Sequence, residues 1–335
     1  MASEEGVPAW AASTATGVGS LPGEDPREAV RMVLGELPDL PFLPELPARG
    51  PHADLIGRGA AFLADLHVDL QPSGWRITAR GSRDGQRSLD LLSRDLDALE
   101  ETEAQPAFLK VQAPGPWTLA AMVELSRGDR ILADHGAVAD LAASLAHGLT
   151  DHLADLRRRL PGTVLVLQLD EPALPGVIGA RIPTASGFGR LRAPDQQVVI
   201  ERLRTVLDCA EHTVVHCCAA SPPLAVLSAA GAGGLSLDGA MLTPRDDDEI
   251  GLAIEAGAAL LLGLVPSTDA DLSDLDARMG PAKQLWRRLG FDADRLPATL
   301  VVTPACGLAG ASPDYARQAL AACVELGRRL GEEPE

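Results

Sequence analysis

The 335-residue sequence predicts an α/β fold, specifically a (β/α)8 barrel, also called a TIM barrel. Most of the predicted strands are continuously apolar runs, as expected for parallel strands that are buried on both faces. Segments with helical periodicity separate these runs. Repeated alternation of strand and helix is typical of a barrel whose active site lies at the carboxyl ends of the strands. The eight runs lie near residues 16, 42, 109, 166, 215, 236, 261 and 301.

Helix-start signals support this alternation. Asp25 suits an N-cap and Pro26 the first helical position, so a helix is predicted from there to about Leu37. Thr243-Pro244 and Ser312-Pro313 mark two later starts in the same way. Other helices are predicted over about 53–66, 137–160, 195–209, 223–230 and 274–289.

Two parts of the chain depart from the repeat. Residues 1–13 are predicted to form a flexible lead-in, and residues 14–335 a single barrel domain. Within that domain, the region around 69–105 is interpreted as an insertion. It contains a predicted hairpin strand at 74–78 and an amphipathic helix at 89–99.

Composition excludes several classes of function. The net charge of −18 and an aromatic content of 3% argue against binding to nucleic acid or to an anionic membrane. No apolar run is long enough to span a membrane, and the acidic N-terminus is unlike a secretion signal. The five cysteines lack the spacing of a disulfide framework. We therefore expect a cytoplasmic protein with reduced thiols.

A metal site is predicted around the run that ends in His216-Cys217-Cys218. In an extended strand, residues i and i+2 point to the same side, so His216 and Cys218 converge while Cys217 turns away. Asp238 and Cys306 also follow apolar runs, so a barrel would bring all four candidates to one end. One imidazole, two thiolates and a carboxylate suit Zn2+. The carboxylate is the weakest ligand and could be exchanged for an incoming thiol, which a catalytic zinc site permits.

Three further residues are candidates for substrate binding. Asp170 and Glu45 lie at or after apolar runs, where carboxylates facing a barrel mouth can hold an ammonium group. Ser20 follows Gly19 in a turn whose hydroxyl and N–H groups could receive a carboxylate. The alternatives are a helix cap or surface acid for Asp170 and an ordinary turn residue for Ser20. Together the three candidates would fit an amino acid with a thiol side chain.

In these residues the chain resembles the catalytic barrel of the cobalamin-independent methionine synthases. The matching stretches cover most of residues 15–310, and they occur in the family's order. Uroporphyrinogen decarboxylases are similar in fold but lack the His-x-Cys and Cys-Gly-Leu zinc elements. The matching stretches are Gly17-Val18-Gly19-Ser20-Leu21-Pro22, the Glu45 loop, Gly115-Pro116-Trp117-Thr118, Gln168-Leu169-Asp170-Glu171-Pro172-Ala173-Leu174, His216-Cys217-Cys218, Leu235-Ser236-Leu237-Asp238 and Pro304-Ala305-Cys306-Gly307-Leu308.

The resemblance implies a zinc-dependent S-methyltransferase that methylates homocysteine to methionine. The methyl donor would be a methyl-folate or a methylated corrinoid protein. Homocysteine would be held by Ser20, Glu45 and Asp170. Zinc would be held by His216, Cys218, Asp238 and Cys306.

The sequence departs from the family pattern at three points. Asp238 stands where the family usually has a glutamate, whose side chain is one methylene longer. The stretch Gly263 to Asp269 lacks the histidine that the family uses for proton transfer, so no catalytic residue is assigned. The chain is also too short to contain the second, N-terminal barrel that helps bind the folate donor.

Two alternative functions stay open. One is zinc-dependent alkyl transfer to or from another thiol, which would not need two acids for an ammonium group. The other is a non-catalytic zinc- and thiol-binding protein, which the missing histidine allows.

Overall fold

A computed structural model describes residues 8–12 and 15–332. Its centre is a curled parallel sheet formed by the last six strands, and each of them pairs with its neighbour in the chain. The first two strands form a separate antiparallel hairpin. The strands are β1 His67–Gln71, β2 Gly74–Thr78, β3 Phe108–Pro114, β4 Val164–Asp170, β5 His212–Cys217, β6 Gly234–Asp238, β7 Ala259–Val265 and β8 Leu300–Pro304.

Helices connect the strands and cover the outer face of the sheet. The predicted start at Asp25 is confirmed, because its side chain accepts a hydrogen bond from the Arg27 N–H and Pro26 begins the helix. The helices are α1 Pro26–Glu36, α2 Leu55–Ala60, α3 Arg83–Glu100, α4 Pro116–Met122, α5 His135–Arg159, α6 Leu174–Ile178, α7 Gln196–Leu207, α8 Leu224–Ala229, α9 Asp247–Glu255, α10 Leu275–Leu289, α11 Leu296–Thr299 and α12 Pro313–Glu332.

The first two predicted strands do not form in the described residues. Near residue 16, Ala15 makes only a single parallel bridge to Val302 of β8, and near residue 42, Phe42 bridges only to Lys110 of β3. Proline is the physical reason in the second case, because Pro41 and Pro44 have no N–H to donate to a ladder. Regular strands therefore form at six of the eight predicted positions.

The side chains on the inner face of the sheet form layers. Alternate residues of a strand share a face, so Val166, Gln168 and Asp170 of β4 all point inward, one above another. Val166 belongs to an apolar cluster at the amino ends of the strands, and Asp170 reaches a pocket at their carboxyl ends. The apolar cluster contains Trp10, Ala11, Leu40, Val166, Val214, Ala259, Leu261 and Val301.

Part of the predicted lead-in packs against this body. Ala9–Ala12 form a turn of 3-10 helix, and Trp10 is fully buried in the apolar cluster. Residues 1–7 and 13 of the lead-in lie outside the described residues. The predicted hairpin strand and helix within 69–105 are both present, as β2 and α3. No described helix has the length and apolarity needed to cross a membrane.

Candidate metal and substrate site

A pocket of about 250 Å³ opens at the carboxyl ends of the sheet strands. Its volume is close to the lower end of the usual range for small-molecule sites, about 300 to 1,000 Å³. Six of the seven predicted site residues line it, and Asp238 does not. The complete lining is Val18, Gly19, Ser20, Glu45, Pro47, Ala53, Leu55, Asp170, Pro172, His216, Cys218, Cys306 and Gly307.

Strand register brings the pocket residues together. Asp170 at the end of β4 pairs with His216 of β5, and His216 pairs in turn with Ser236 of β6. Cys218 follows the last residue of β5, and Cys306 lies two residues beyond the end of β8. The curl of the sheet closes the distance between these strands, which are not neighbours.

His216, Cys218 and Cys306 form a group whose ligand atoms all lie within 4.8 Å of one another. The sulfur atoms of Cys218 and Cys306 are 3.2 Å apart. The hydrogen bond with Cys218 lowers the pKa of Cys306 to about 4, and contact with His216 lowers it further. The same contact raises the pKa of Cys218. Such a group could bind a metal, because one of its sulfurs is readily ionised and imidazole and thiolate are the ligands zinc prefers.

The two ring nitrogens of His216 have different environments. Nδ1 is 2.9 Å from Ser236 Oγ, whereas Nε2 is buried and has no hydrogen-bond partner. A buried polar atom without a partner is costly. Its position beside two cysteines is consistent with a metal ligand that is oriented through its other nitrogen, as metal-binding histidines usually are. Ser236 was not predicted, although it is a polar residue two positions before Asp238 in an apolar run.

Asp238 is not a member of the three-residue group. Its carboxylate accepts a hydrogen bond from the Ala240 N–H at 2.9 Å and begins a turn of 3-10 helix there. Burial raises its pKa. The structure thus places Asp238 at the end of β6 as expected, with its carboxylate engaged by its own turn.

Glu45 and Asp170 are both buried acids on the pocket wall. Burial raises the pKa of Glu45 to about 7, opposed by the positive charge of Arg58. Burial also raises the pKa of Asp170, opposed chiefly by His216. Glu45 Oε1 has no hydrogen-bond partner, although Arg58 Nε lies 3.3 Å away. No lysine or arginine is among the described residues that line the pocket.

Ser20 lies where two segments of the pocket rim meet. It bridges to Glu45, and its carbonyl accepts a hydrogen bond from the Leu308 N–H at 2.8 Å. Gly307 packs so closely that a Cβ there would lie 2.0 Å from Ser20 Oγ. Glycine at this position therefore leaves room for the serine hydroxyl, which explains part of the Cys-Gly-Leu motif.

A polar layer supports the pocket from below. Lys110 is completely buried, and its ammonium group donates to the Val18 carbonyl at 2.9 Å and to Gln168 Oε1 at 2.8 Å. Gln168 Nε2 donates in turn to Asp170 Oδ1 at 2.7 Å. Burial lowers the pKa of Lys110 to about 7, against the attraction of Asp170 and Glu45. Sequence reasoning missed Lys110, because its partners Val18 and Gln168 are distant along the chain.

The adjacent acids of Asp170-Glu171 have separate roles. Glu171 is buried away from the pocket and accepts hydrogen bonds from the N–H groups of Trp117 and Thr118 at 2.9 and 2.7 Å. It thus anchors the start of α4 to the end of β4. Helix capping, the alternative role for Asp170, is performed instead by Glu171.

No protein-family model matches the chain, and no curated protein matches it. Among solved structures, 54 chains match. One is a B12-independent methionine synthase from Shewanella sp. W3-18-1 in complex with selenomethionine. It aligns with a TM-score of 0.62 and 12% identity over 96% of this chain and 98% of that chain.

The chain shares the fold of this methionine synthase. The resemblance inferred from the sequence is thereby confirmed at the level of the fold. A 3-dehydroquinate dehydratase from Geobacillus kaustophilus HTA426 aligns with a TM-score of 0.24 and 12% identity over 70% of this chain and 86% of that chain. This second likeness is too low to carry an argument.

Proposed function

We propose that the protein is a zinc-dependent methyltransferase that transfers a methyl group to the thiol of homocysteine. The observation that carries the proposal is the buried, unpartnered Nε2 of His216 beside the Cys218 and Cys306 sulfurs, in a pocket with two acids. The shared fold with a methionine synthase supports it. Hydrogen bonds from Thr16 N–H to Val302 and from Leu43 N–H to Lys110 also support a closed (β/α)8 barrel.

The donor atoms fit zinc. We propose that His216, Cys218 and Cys306 hold it, and that Asp238 completes the set by turning away from the Ala240 N–H. A zinc ion held there would lower the pKa of a bound thiol and keep it nucleophilic at neutral pH. Ser236 would fix the His216 ring through Nδ1.

The other pocket residues would bind and orient the amino acid. Glu45 and Asp170 would receive the ammonium group, whose positive charge would keep both acids ionised. The Ser20 hydroxyl would donate to the substrate carboxylate. Gln168, held by Lys110, would keep Asp170 pointing into the pocket. Fixing both ends of the substrate in this way would hold its thiol in line with the methyl group of the donor.

Zinc content is the test of the metal site. We expect about one zinc per chain in wild-type protein purified without chelator, and loss of most of it in Cys306→Ala. The matched control is Cys209→Ala, which removes a partly buried free cysteine outside the pocket. Wild-type protein that neither contains nor takes up zinc would refute the proposal.

Methyl transfer to homocysteine tests the activity, with methylcobalamin and methyl-folate as alternative donors and methionine as the measured product. Asp170→Asn is expected to raise the homocysteine KM by about tenfold or more, because a hydrogen bond to a charged group contributes about 1.5 to 3 kcal/mol. An unchanged KM would favour a thiol acceptor without an amino group. Zinc binding with no turnover from either donor would favour the non-catalytic binder.

A further inference from the structure

We propose that Asp95 of α3, acting through Arg58 of α2, is a positioning residue for Glu45. It would hold Arg58 so that the Glu45 carboxylate stays in place on the pocket wall. This inference rests on the proposed function, in which Glu45 receives the ammonium group of the substrate. It extends the site into the region around 69–105, which contributes no strand to the six-stranded sheet.

Asp95 is tied to two arginines. Arg58 Nη1 donates to Asp95 Oδ2 at 2.6 Å. Arg49 donates through Nη1 to Oδ1 at 2.7 Å and through Nη2 to Oδ2 at 2.9 Å. The Asp95 side chain is only 2% exposed and that of Arg58 4% exposed. Buried charges in this arrangement are fixed in place, because any rearrangement would leave one of them unpaired.

The contact between Arg58 and Glu45 is of a different kind. Arg58 Nε is 3.3 Å from Glu45 Oε1, but neither atom makes a hydrogen bond, and both are buried. Arg58 therefore supplies positive charge without occupying the lone pairs of Oε1. Asp95 accounts for this, because its short hydrogen bond to Nη1 fixes the direction of the guanidinium plane.

The charges of this group balance. Arg49 and Arg58 carry two positive charges, and Asp95 and Glu45 carry two negative charges when both are ionised. Neutralising Asp95 would leave an excess positive charge next to Glu45. That charge would repel a substrate ammonium group but would not repel a ligand that lacks one. This difference separates a positioning role from a merely structural one.

The test compares two ligands by isothermal titration calorimetry on zinc-loaded, full-length protein. The ligands are L-homocysteine and 4-mercaptobutanoate, which has the same thiol and carboxylate but no ammonium group. In Asp95→Asn, homocysteine binding should weaken about tenfold, the size of one charge-assisted contact. Binding of 4-mercaptobutanoate should stay within twofold or tighten. Equal weakening of both ligands would overturn the proposal.

The control is Asp97→Asn, two residues further along the same helix. Asp97 is exposed and pairs with Arg159 at 3.0 Å, away from the pocket. The Asp97→Asn variant should bind both ligands as the wild type does. If Asp95→Asn does not fold, Arg58→Lys replaces it. Lysine keeps the charge balance but cannot contact Asp95 and Glu45 in the same geometry. Glu45 then loses its position, so homocysteine binding should weaken and binding of 4-mercaptobutanoate should not.

A second readout is independent of the proposed substrate. Excess positive charge should lower the pKa of Glu45 in Asp95→Asn, measured by 13C NMR of labelled glutamate and assigned with Glu45→Gln. If the wild type binds neither ligand but this pKa falls, the proposed substrate is wrong and the positioning role stands. If the Glu45 pKa does not change, the positioning role is wrong.

Discussion

Ser236 Oγ lies 2.9 Å from His216 Nδ1, and this contact determines which ring nitrogen of the histidine faces the pocket. The two residues are paired across β5 and β6, so both side chains point to the inner face of the sheet. Both are buried, which leaves the ring little freedom to turn. The orientation of the candidate metal ligand is thus built into the strand pairing.

Removing this hydroxyl should weaken zinc binding. In Ser236→Ala, Nδ1 loses its partner, and we expect the zinc dissociation constant to rise about 10- to 100-fold, as is typical when the outer partner of a ligating histidine is lost. Competition with a chromophoric chelator measures this constant. Ser228→Ala is the control, because the Ser228 hydroxyl is buried without a hydrogen-bond partner. Equal zinc affinity in Ser236→Ala and wild type would show that the contact does not support a metal ligand.

Amino-acid binding should depend on pH through Glu45. Its pKa is raised to about 7 by burial, so below pH 7 the acid is mostly protonated in the free protein. An ammonium group binds the ionised form of Glu45. A protein molecule whose Glu45 is protonated must therefore release that proton when the ligand binds. Affinity should therefore rise with pH, by roughly fivefold from pH 6 to pH 7 and by about twofold from pH 7 to pH 8.

L-Methionine is the suitable ligand for this measurement, because it has no thiol proton to lose. Titration calorimetry in buffers of different ionisation enthalpy also counts the released protons. In Glu45→Gln the affinity should be lower, and most of the increase between pH 6 and pH 7 should disappear. A wild-type affinity that is constant over this range would argue against Glu45 as the ammonium site.

Gly307 should control access to the Ser20 hydroxyl. In Gly307→Ala the new Cβ would lie 2.0 Å from Ser20 Oγ, so the serine side chain has to move. We expect homocysteine binding to weaken several-fold, because the proposed contact to the substrate carboxylate is lost, while zinc content stays the same. Gly310→Ala is the matched control, since its Cβ would meet nothing closer than 4.0 Å. The idea fails if both variants bind homocysteine as the wild type does.

The sequence predicted the strands that are regular and missed the contacts that join distant elements. Continuous apolar runs located β3 to β8, because those strands are buried on both faces. The segments near residues 16 and 42 are apolar too, but single bridges replace strands there. Composition alone does not reveal how many ladder hydrogen bonds an apolar run will make.

In the candidate site, too, patterns within one strand were predicted, whereas contacts between distant segments were missed. Side-chain alternation placed His216 and Cys218 together, because that pattern lies within one strand. Asp95 and Arg58 are separated by 37 residues, and only the packing of α3 on α2 brings them into contact. Lys110 was missed for a similar reason, since its partners Val18 and Gln168 come from other segments.

The proximity of Cys218 and Cys306 predicts a redox vulnerability of the zinc-free protein. Their sulfurs are 3.2 Å apart, and the pKa of Cys306 is lowered to about 4 by its contact with Cys218. Hydrogen peroxide should oxidise the Cys306 thiolate to a sulfenic acid and release hydroxide. The Cys218 thiol would then displace water and form a disulfide.

Free thiols counted under denaturing conditions should therefore fall from five to about three per chain after peroxide treatment of the zinc-free protein. Zinc-loaded protein should keep all five, because both sulfurs are then engaged as ligands. Mass spectrometry of Cys218→Ser should show no disulfide. Oxidation of Cys306 in this variant should end at the sulfenic acid or a higher oxide. Equal loss of thiols with and without zinc would mean that the two cysteines do not hold the metal.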